Sequence, residues 1–420
     1  MPQNQNPKTK TTADRSTANQ KPSNSTAKPG FKLTTLGWIP TEWEVRTLSQ
    51  ISKITMGQSP KSEFYNQDEI GVPLINGPTE FTDRYPVKIQ WTTEGNKYCG
   101  QDDILLCVRG SSTGRINISN DRYCIGRGVA AVRARRSEDH VYLEYQLRAA
   151  IDRILRLTTG STFPSVDSKT LKLIKIPLPP LKEQTRIANC LTTWDRAITT
   201  TRKLLQQLEE RKKGLMQGLL SGAVRVPGFI GEWEETRIGS LILESKIIGE
   251  GNKVDRRIKV RLDLNGVLAR DVKGNESIDS TTYYRRSAGQ FIYGKQNLHK
   301  GAMGLIPSYL DGFESTSDVP AFDFKRGVDP DWFLFYMARP NFYKWLEVIS
   351  TGTGSKRIQP KVLFKVKINL PTLPEQAAIA KILTTADQEI VLYKRKLAKL
   401  EAQKKGLMQQ LLTGQKRLSA

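Results

Sequence analysis

The chain has 420 residues and carries 65 Lys and Arg against 42 Asp and Glu, a net charge of +23. At ~100–200 residues per domain, that length allows two to four domains, each with its own core. No apolar run reaches the roughly 18 residues of a membrane-spanning helix, and residues 1–30 lack the apolar stretch of a secretory signal. Four cysteines (Cys99, Cys107, Cys124, Cys190) contain no C-x-x-C pair and are too few for a disulfide scaffold, so a reducing cytoplasm is expected. A cationic surplus of this size points to a polyanion, most commonly nucleic acid.

Five segments follow from composition, with net charges of +5 (1–36), +3 (37–180), +4 (181–222), +6 (223–371) and +5 (372–420). The surplus is therefore spread along the molecule and is not one basic appendage. Residues 1–36 begin with thirty Asn/Gln/Ser/Thr/Lys/Pro-rich positions without an aromatic, which reads as a flexible basic arm. Residues 37–180 form a globular segment with strands at Ile104–Val108 and Gly128–Val132 and a helix over Tyr142–Leu157. Its candidate DNA-contacting residues are Lys61, Arg84, Lys88, Arg109, Ser111, Ser112, Thr113 and Arg115. Gly110–Gly114 matches G-x-S-x-G, but the following RINISNDRYCI has the pattern of turn and strand, not the helix a nucleophile elbow requires.

Residues 181–222 follow a proline cluster, end in glycine and keep an apolar period of 3.5. Ile187, Leu191, Trp194, Ile198, Leu205, Leu208, Leu215 and Leu219 alternate spacings that define a coiled-coil seam, with Thr201 and Lys212 at the same face. Residues 223–371 form a second globular segment, with strands in RIKVRLDL and GQFIYG and a helix over Asp331–Ile349. Here basic, amide and aromatic side chains interleave in three clusters: Arg256, Arg257, Lys259 and Arg261; Tyr283, Tyr284, Arg285 and Arg286; Lys295, Gln296, Asn297, His299 and Lys300. Such side chains hold phosphates or read base edges, and the clusters rather than single members are the candidates. Gly289–Lys295 fills the first seven places of a P-loop, but Gln296 takes the Ser/Thr place. Asp329-Pro330-Asp331-Trp332 lacks the second proline of an amino-methyltransferase motif, and two histidines give no metal spacing. Residues 372–420 repeat the helix, with seam positions Ile379, Leu383, Ile390, Leu397, Leu400, Leu407 and Leu411, and with Ala386, Tyr393 and Lys404 between them.

The repeat is the strongest signal. At an offset of 192, residues 181–222 match 373–414 at 22 of 42 positions without a gap. PLPPLKEQ answers NLPTLPEQ, Thr159-Gly160 answers Thr351-Gly352, and Glu42-Trp43-Glu44 answers Glu232-Trp233-Glu234. Between these anchors the two globular segments barely resemble each other. The expected fold is α+β: two domains with mixed or antiparallel sheets, joined by two ~60 Å helices in an intramolecular antiparallel coiled coil with pseudo-two-fold symmetry.

A basic chain with two unlike domains on two near-identical helices resembles the specificity subunit of Type I restriction–modification systems. The resemblance is carried by IPLPPLKEQTRIANCL (176–191), KKGLMQGLLSG (212–222), their second copies, and WIPTEWEVRTLSQI (38–51). It covers nearly the whole chain from Gly37, and the arm at 1–36 departs from the pattern. It implies that 37–180 and 223–371 are target recognition domains, each reading half of a split asymmetric site in double-stranded DNA. It also implies that the helices are conserved regions that set the gap and dock two modification subunits. In that family the modification subunits carry S-adenosylmethionine and methylate adenine, and restriction subunits add ATP- and Mg-dependent translocation and cleavage, in a prokaryotic cytoplasm. No cofactor or metal is then expected in this chain, and no enzymatic activity. The competing reading is a structural scaffold that bridges partner proteins with only non-specific DNA affinity.

Overall fold

The computed structural model describes residues 28–156, 164–271, 281–352 and 356–418. The chain divides into two compact units: residues up to 196 with those from 401 onward, and residues 197–400. Each unit therefore contains one globular segment, the start of one long helix and the end of the other.

In the first unit, four antiparallel strands lie in the order Ile116–Ile118, Ile104–Cys107, Val129–Ala134, Ser52–Met56. The run Ile104–Cys107 is buried at every position because its two faces enter two different cores. Ile104 and Leu106, with Ala130 and Val132, meet Leu143, Leu147, Ala150 and Ile154 of the helix His140–Arg156. Leu105 and Cys107, with Val129 and Ala131, meet Ile75, Tyr123 and Ile125 of a second, five-stranded sheet. In that sheet Val72–Ile75 and Tyr123–Ile125 run parallel.

The second unit repeats the first sheet. Met303–Leu305, Phe291–Tyr293, Ala321–Phe324 and Ile242–Ser245 have the same spatial order, the same chain order and antiparallel pairing throughout. The two-core division also recurs: Phe291, Tyr293 and Phe322 pack in one cluster, Ile292 and Ala321 in the other. Each globular segment is closed by one antiparallel pair joining its entry to its exit, Glu44–Thr47 with Lys175–Leu178 and Glu234–Arg237 with Lys367–Leu370. The fold is α+β in both halves, although their sequences diverge.

The long helices are Leu181–Leu219 and Leu373–Leu411, 39 residues each. In the first unit Lys404 Nζ meets Asp195 Oδ1 at 2.5 Å; in the second, Lys212 Nζ meets Asp387 Oδ1 at 2.5 Å. These are one contact repeated, and with Arg211–Glu389 and Lys394–Glu209 they make the packing antiparallel. The lysine at a seam position is thus an electrostatic register mark, the best-attested role for a polar group there. Of the seam residues, Ile187, Leu191, Ile198, Leu208, Leu219, Ile379, Leu383, Ile390 and Leu411 are buried, and Trp194, Leu205, Leu215, Leu397, Leu400 and Leu407 are half-buried.

The Glu-Gln pair at each helix start has a structural explanation. Glu183, buried, accepts from Trp43 Nε1 at 3.1 Å and pairs with Arg417; Glu375, buried, accepts from Trp233 Nε1 at 3.1 Å and pairs with Arg225. Gln184 accepts from the backbone N–H of Asp139 and donates to the Pro179 carbonyl, and Gln376 does the same with Asp329 and Pro371. The repeated residues are therefore the clamps that fix helix, domain entry and domain exit to one another.

Three expectations need correction. Residues 31–34 belong to the folded unit and not to an arm, because Phe31–Thr34 pairs with Gly37–Pro40 in a hairpin. The helix foreseen over 331–349 is two helices, Pro330–Met337 and Pro340–Trp345: Pro340 has no N–H to continue the first, and Arg339 before it is extended. RIKVRLDL is a strand only over Ile258–Val260, since Asp263 and Leu264 turn through positive φ (56° and 57°). The helix foreseen at 142–157 runs from His140 to Arg156; residue 157, the Thr159-Gly160 match and residues 1–27 lie outside the described residues.

Burial raises the thiols of Cys99 and Cys124 above the ordinary range and pushes Cys107 up to about 11. Native alkylation at pH 8 should therefore stop at one label per chain, on the half-buried Cys190, and reach four only on unfolding. Fast labelling of Cys107 in the native protein would contradict this packing.

Candidate nucleic-acid interface

The two most polar candidate groups fall on equivalent elements. Arg109, Ser111, Ser112, Thr113 and Arg115 lie on the connection between Ile104–Cys107 and Ile116–Ile118, and Lys295, Gln296, Asn297, His299 and Lys300 on that between Phe291–Tyr293 and Met303–Leu305. Each pair of strands occupies the same position in its sheet. Arg109 and Ser111 are exposed. Thr113 is buried and donates to the Gly110 and Pro164 carbonyls, so it fixes the loop and is not free for DNA. Arg115 donates to the Phe81 carbonyl at 3.1 Å, tying the hairpin to the neighbouring loop. In the second hairpin Gln296 and Lys300 are exposed and Lys295 and Asn297 half-buried, while His299 is buried and burial lowers its imidazole below the ordinary range.

Elsewhere in the first unit Lys61, Arg84 and Lys88 are exposed but paired, with Glu63, Glu144 and Asp121 respectively. The hydrogen bond from Lys88 to Asp121 holds that ammonium charged above its usual range. In the second unit Arg256, Arg261 and Arg285 are exposed, and Lys259 is paired with Asp271.

Four other candidates belong wholly or partly to the core. Arg286 is only 1 % exposed; it donates to Ser315 Oγ and the Ser245 carbonyl, and desolvation lowers it to about 10. Arg257 is 4 % exposed and stacks 4.3 Å over Tyr283, itself buried. These are core guanidiniums held by carbonyls and rings, and charge reversal at Arg257 would disturb the fold instead of reporting on DNA. Tyr284 is half-buried and covers Arg286.

The discounted motifs also have structural explanations. Gly110–Gly114 leads into a strand, Phe291–Tyr293 within the P-loop match is a buried strand, and Asp329 caps a helix by accepting from the Trp332 N–H. Among the described residues no group of three His, Cys, Asp or Glu is placed to hold a metal, and no helix is long and apolar enough to cross a membrane. Sequence reasoning passed over Gln58, Asn76 and Arg127. Each lies one or two residues past the end of a strand, and the only trace in the sequence is a glycine beside each of them.

The architecture defines a tandemly duplicated protein in which matched clamps and helices carry two sheet domains with the same core and unlike loops. The sequence model of the Type I restriction modification DNA specificity domain matches residues 40–210 and 321–402, more than half of the chain. The chain belongs to this family. It is 40% identical over 199 residues to the putative type I restriction enzyme MjaX specificity subunit of Methanocaldococcus jannaschii, 47% of either chain. It is 27% identical over 402 residues to the MjaVIII specificity subunit of the same organism, covering 90% of this chain and 94% of that one. Among solved structures, the S subunit of a Type-I restriction-modification system from M. genitalium matches 92% of this chain and 99% of its own, with TM-score 0.58 and 17% identity, a likeness of fold.

Proposed function

We propose that this chain is the non-catalytic, sequence-specific DNA-binding subunit of a Type I restriction–modification complex in a prokaryotic cytoplasm. Each recognition domain reads one half of a bipartite, asymmetric target in double-stranded DNA. The paired helices set the gap and dock two modification subunits, which bring S-adenosylmethionine and methylate adenine. Restriction subunits, using ATP and Mg, act at the same address. The observation that carries this reading is the repeated clamp around divergent loops. Glu183 and Glu375, Gln184 and Gln376, and the Asp195–Lys404 and Lys212–Asp387 pairs repeat, while the hairpins at 108–115 and 294–302 share only their place in the sheet. A duplicated frame with unlike reading loops is what two unlike half-sites require, and the net charge of +23 supplies phosphate affinity.

A long-read methylome of the host with the gene present and deleted tests it. The expected result is one split adenine motif that loses methylation on deletion. A footprint without sequence preference would favour the scaffold reading instead.

A further inference from the structure

Four strand ends in the first unit converge on a recess of about 640 Å³. Gln58 lies two residues beyond Ser52–Met56, Asn76 one beyond Val72–Ile75, Arg109 two beyond Ile104–Cys107, and Arg127 two beyond Tyr123–Ile125. All four line it, with Ser59 and Tyr65. The backbone beneath is locked: Gln58 N–H donates to the Ile125 carbonyl, Gly126 N–H to Ile75, and Val108 N–H to Gly128.

Backbone contact requires glycine at positions 57 and 128, and at 126 an added Cβ would displace the Asn76 side chain. A Cβ on Gly57 would lie 2.2 Å from the Gly126 carbonyl oxygen, one on Gly126 2.0 Å from Asn76 Oδ1, and one on Gly128 2.4 Å from the Asn76 carbonyl oxygen. Ser59 donates to Asn76 Oδ1 at 3.3 Å, which occupies that oxygen and leaves the Asn76 NH₂ as a donor. Among the described residues, neither the Arg109 nor the Arg127 guanidinium has a hydrogen bond or ion pair, and no carboxylate lines the recess.

The result is a rigid, donor-rich, doubly cationic site at the junction of two sheets, with none of its charge used by the fold. Its complement is a group bearing adjacent acceptors. In duplex DNA a base edge of that kind is guanine N7 and O6 in the major groove, which a guanidinium fork meets in bidentate fashion. We infer that this recess is the specificity-determining site of the first recognition domain, with Arg127 and Arg109 as forks for a guanine edge and Gln58 and Asn76 fixing the neighbouring position. This rests on the proposed function and extends it to Gln58, Asn76 and Arg127, side chains outside the candidates of the sequence.

The test uses the full chain in its host, with methylomes recorded for wild type, R127A, R127K and Q58A, and urea midpoints for each purified chain. R127A should slow methylation of the native target roughly 5- to 150-fold. It should also relax the motif at one position or two adjacent ones in one half-site, leaving the other half-site unchanged. R127K, which keeps the charge and loses the fork, should relax the same position. A lower occupancy with an unchanged motif would make Arg127 a phosphate contact and overturn the inference. So would loss of all methylation in R127K and Q58A, or a shifted urea midpoint, which would make these fold residues. Absence of any split motif in wild type would instead remove the specificity-subunit reading itself.

Discussion

A matched pair of heptad insertions, one within 198–211 and one within 390–403, is expected to abolish methylation at the native target and, where activity survives, to widen the gap of the methylated motif. The insertion points lie between the two seam ion pairs. Asp195 and Lys212 stand on either side of the first, and Asp387 and Lys404 on either side of the second, so both pairs keep their partners. Seven residues also preserve the 3.5-residue seam period. What changes is length, by about 10.5 Å at 1.5 Å per residue. On B-DNA that is about three base pairs, or roughly 100° of helical rotation at ~10.5 base pairs per turn. A half-site displaced by that angle faces away from its reader. Methylome sequencing of the insertion strain reads the outcome, and an unchanged gap would rule out a spacing role for the helices. Inserting a heptad in one helix alone should do more damage, since it slides one lysine off its aspartate.

The second large effect is expected for Phe291→Ala. Phe291 is fully buried, packs edge-to-face on Phe333 at 5.1 Å and neighbours Tyr293 and Phe322, which stack on each other at 5.5 Å. Removing the ring should cost about 3–5 kcal/mol, from lost burial, lost ring contacts and the cavity left between strand and helix. Amide hydrogen exchange in Ile242–Ser245, Phe291–Tyr293 and Ala321–Phe324 should then quicken by roughly two to four orders of magnitude. A change below tenfold would mean that the cluster is loosely packed and that the second core is held elsewhere.

Both effects concern parts that the sequence announces to different degrees. The long helices were legible because a 3.5-residue period sustained over 39 residues has no other solution, and because the copy in the second half repeats it. Glu183-Gln184 and Glu375-Gln376 were visible as a recurring junction, but their roles were not. Trp43 and Arg417 lie far from Glu183 in the chain, and nothing local records that they close on it. The sheets were harder still. Strands of three or four residues carry too few positions to show which faces enter a core, and Ile104–Cys107 hides its alternation by burying both. The break at Pro340 could have been read from its missing N–H; the aromatic pattern around it masked the signal.

The candidate site divides along the same line. Residue type marked basic side chains but not their direction. Arg285 and Arg286 are neighbours on or beside one strand, so one points to solvent and the next into the core, where Ser315 Oγ and the Ser245 carbonyl hold it. Gln58, Asn76, Arg109 and Arg127 span seventy residues and come together only because four strands end at one place.

The sequence by itself determined the duplication, the helical frame and the α+β class, because these rest on period, repetition and local pattern, which are properties of neighbours along the chain; the family was legible through the resemblance that its recurring motifs carry. Only the tertiary structure decided the common sheet order of two unlike domains, which arginines are core and which are free, and where the donors converge. Those depend on long-range strand pairing, and burial there is settled by residues that share no local pattern with the side chain they cover.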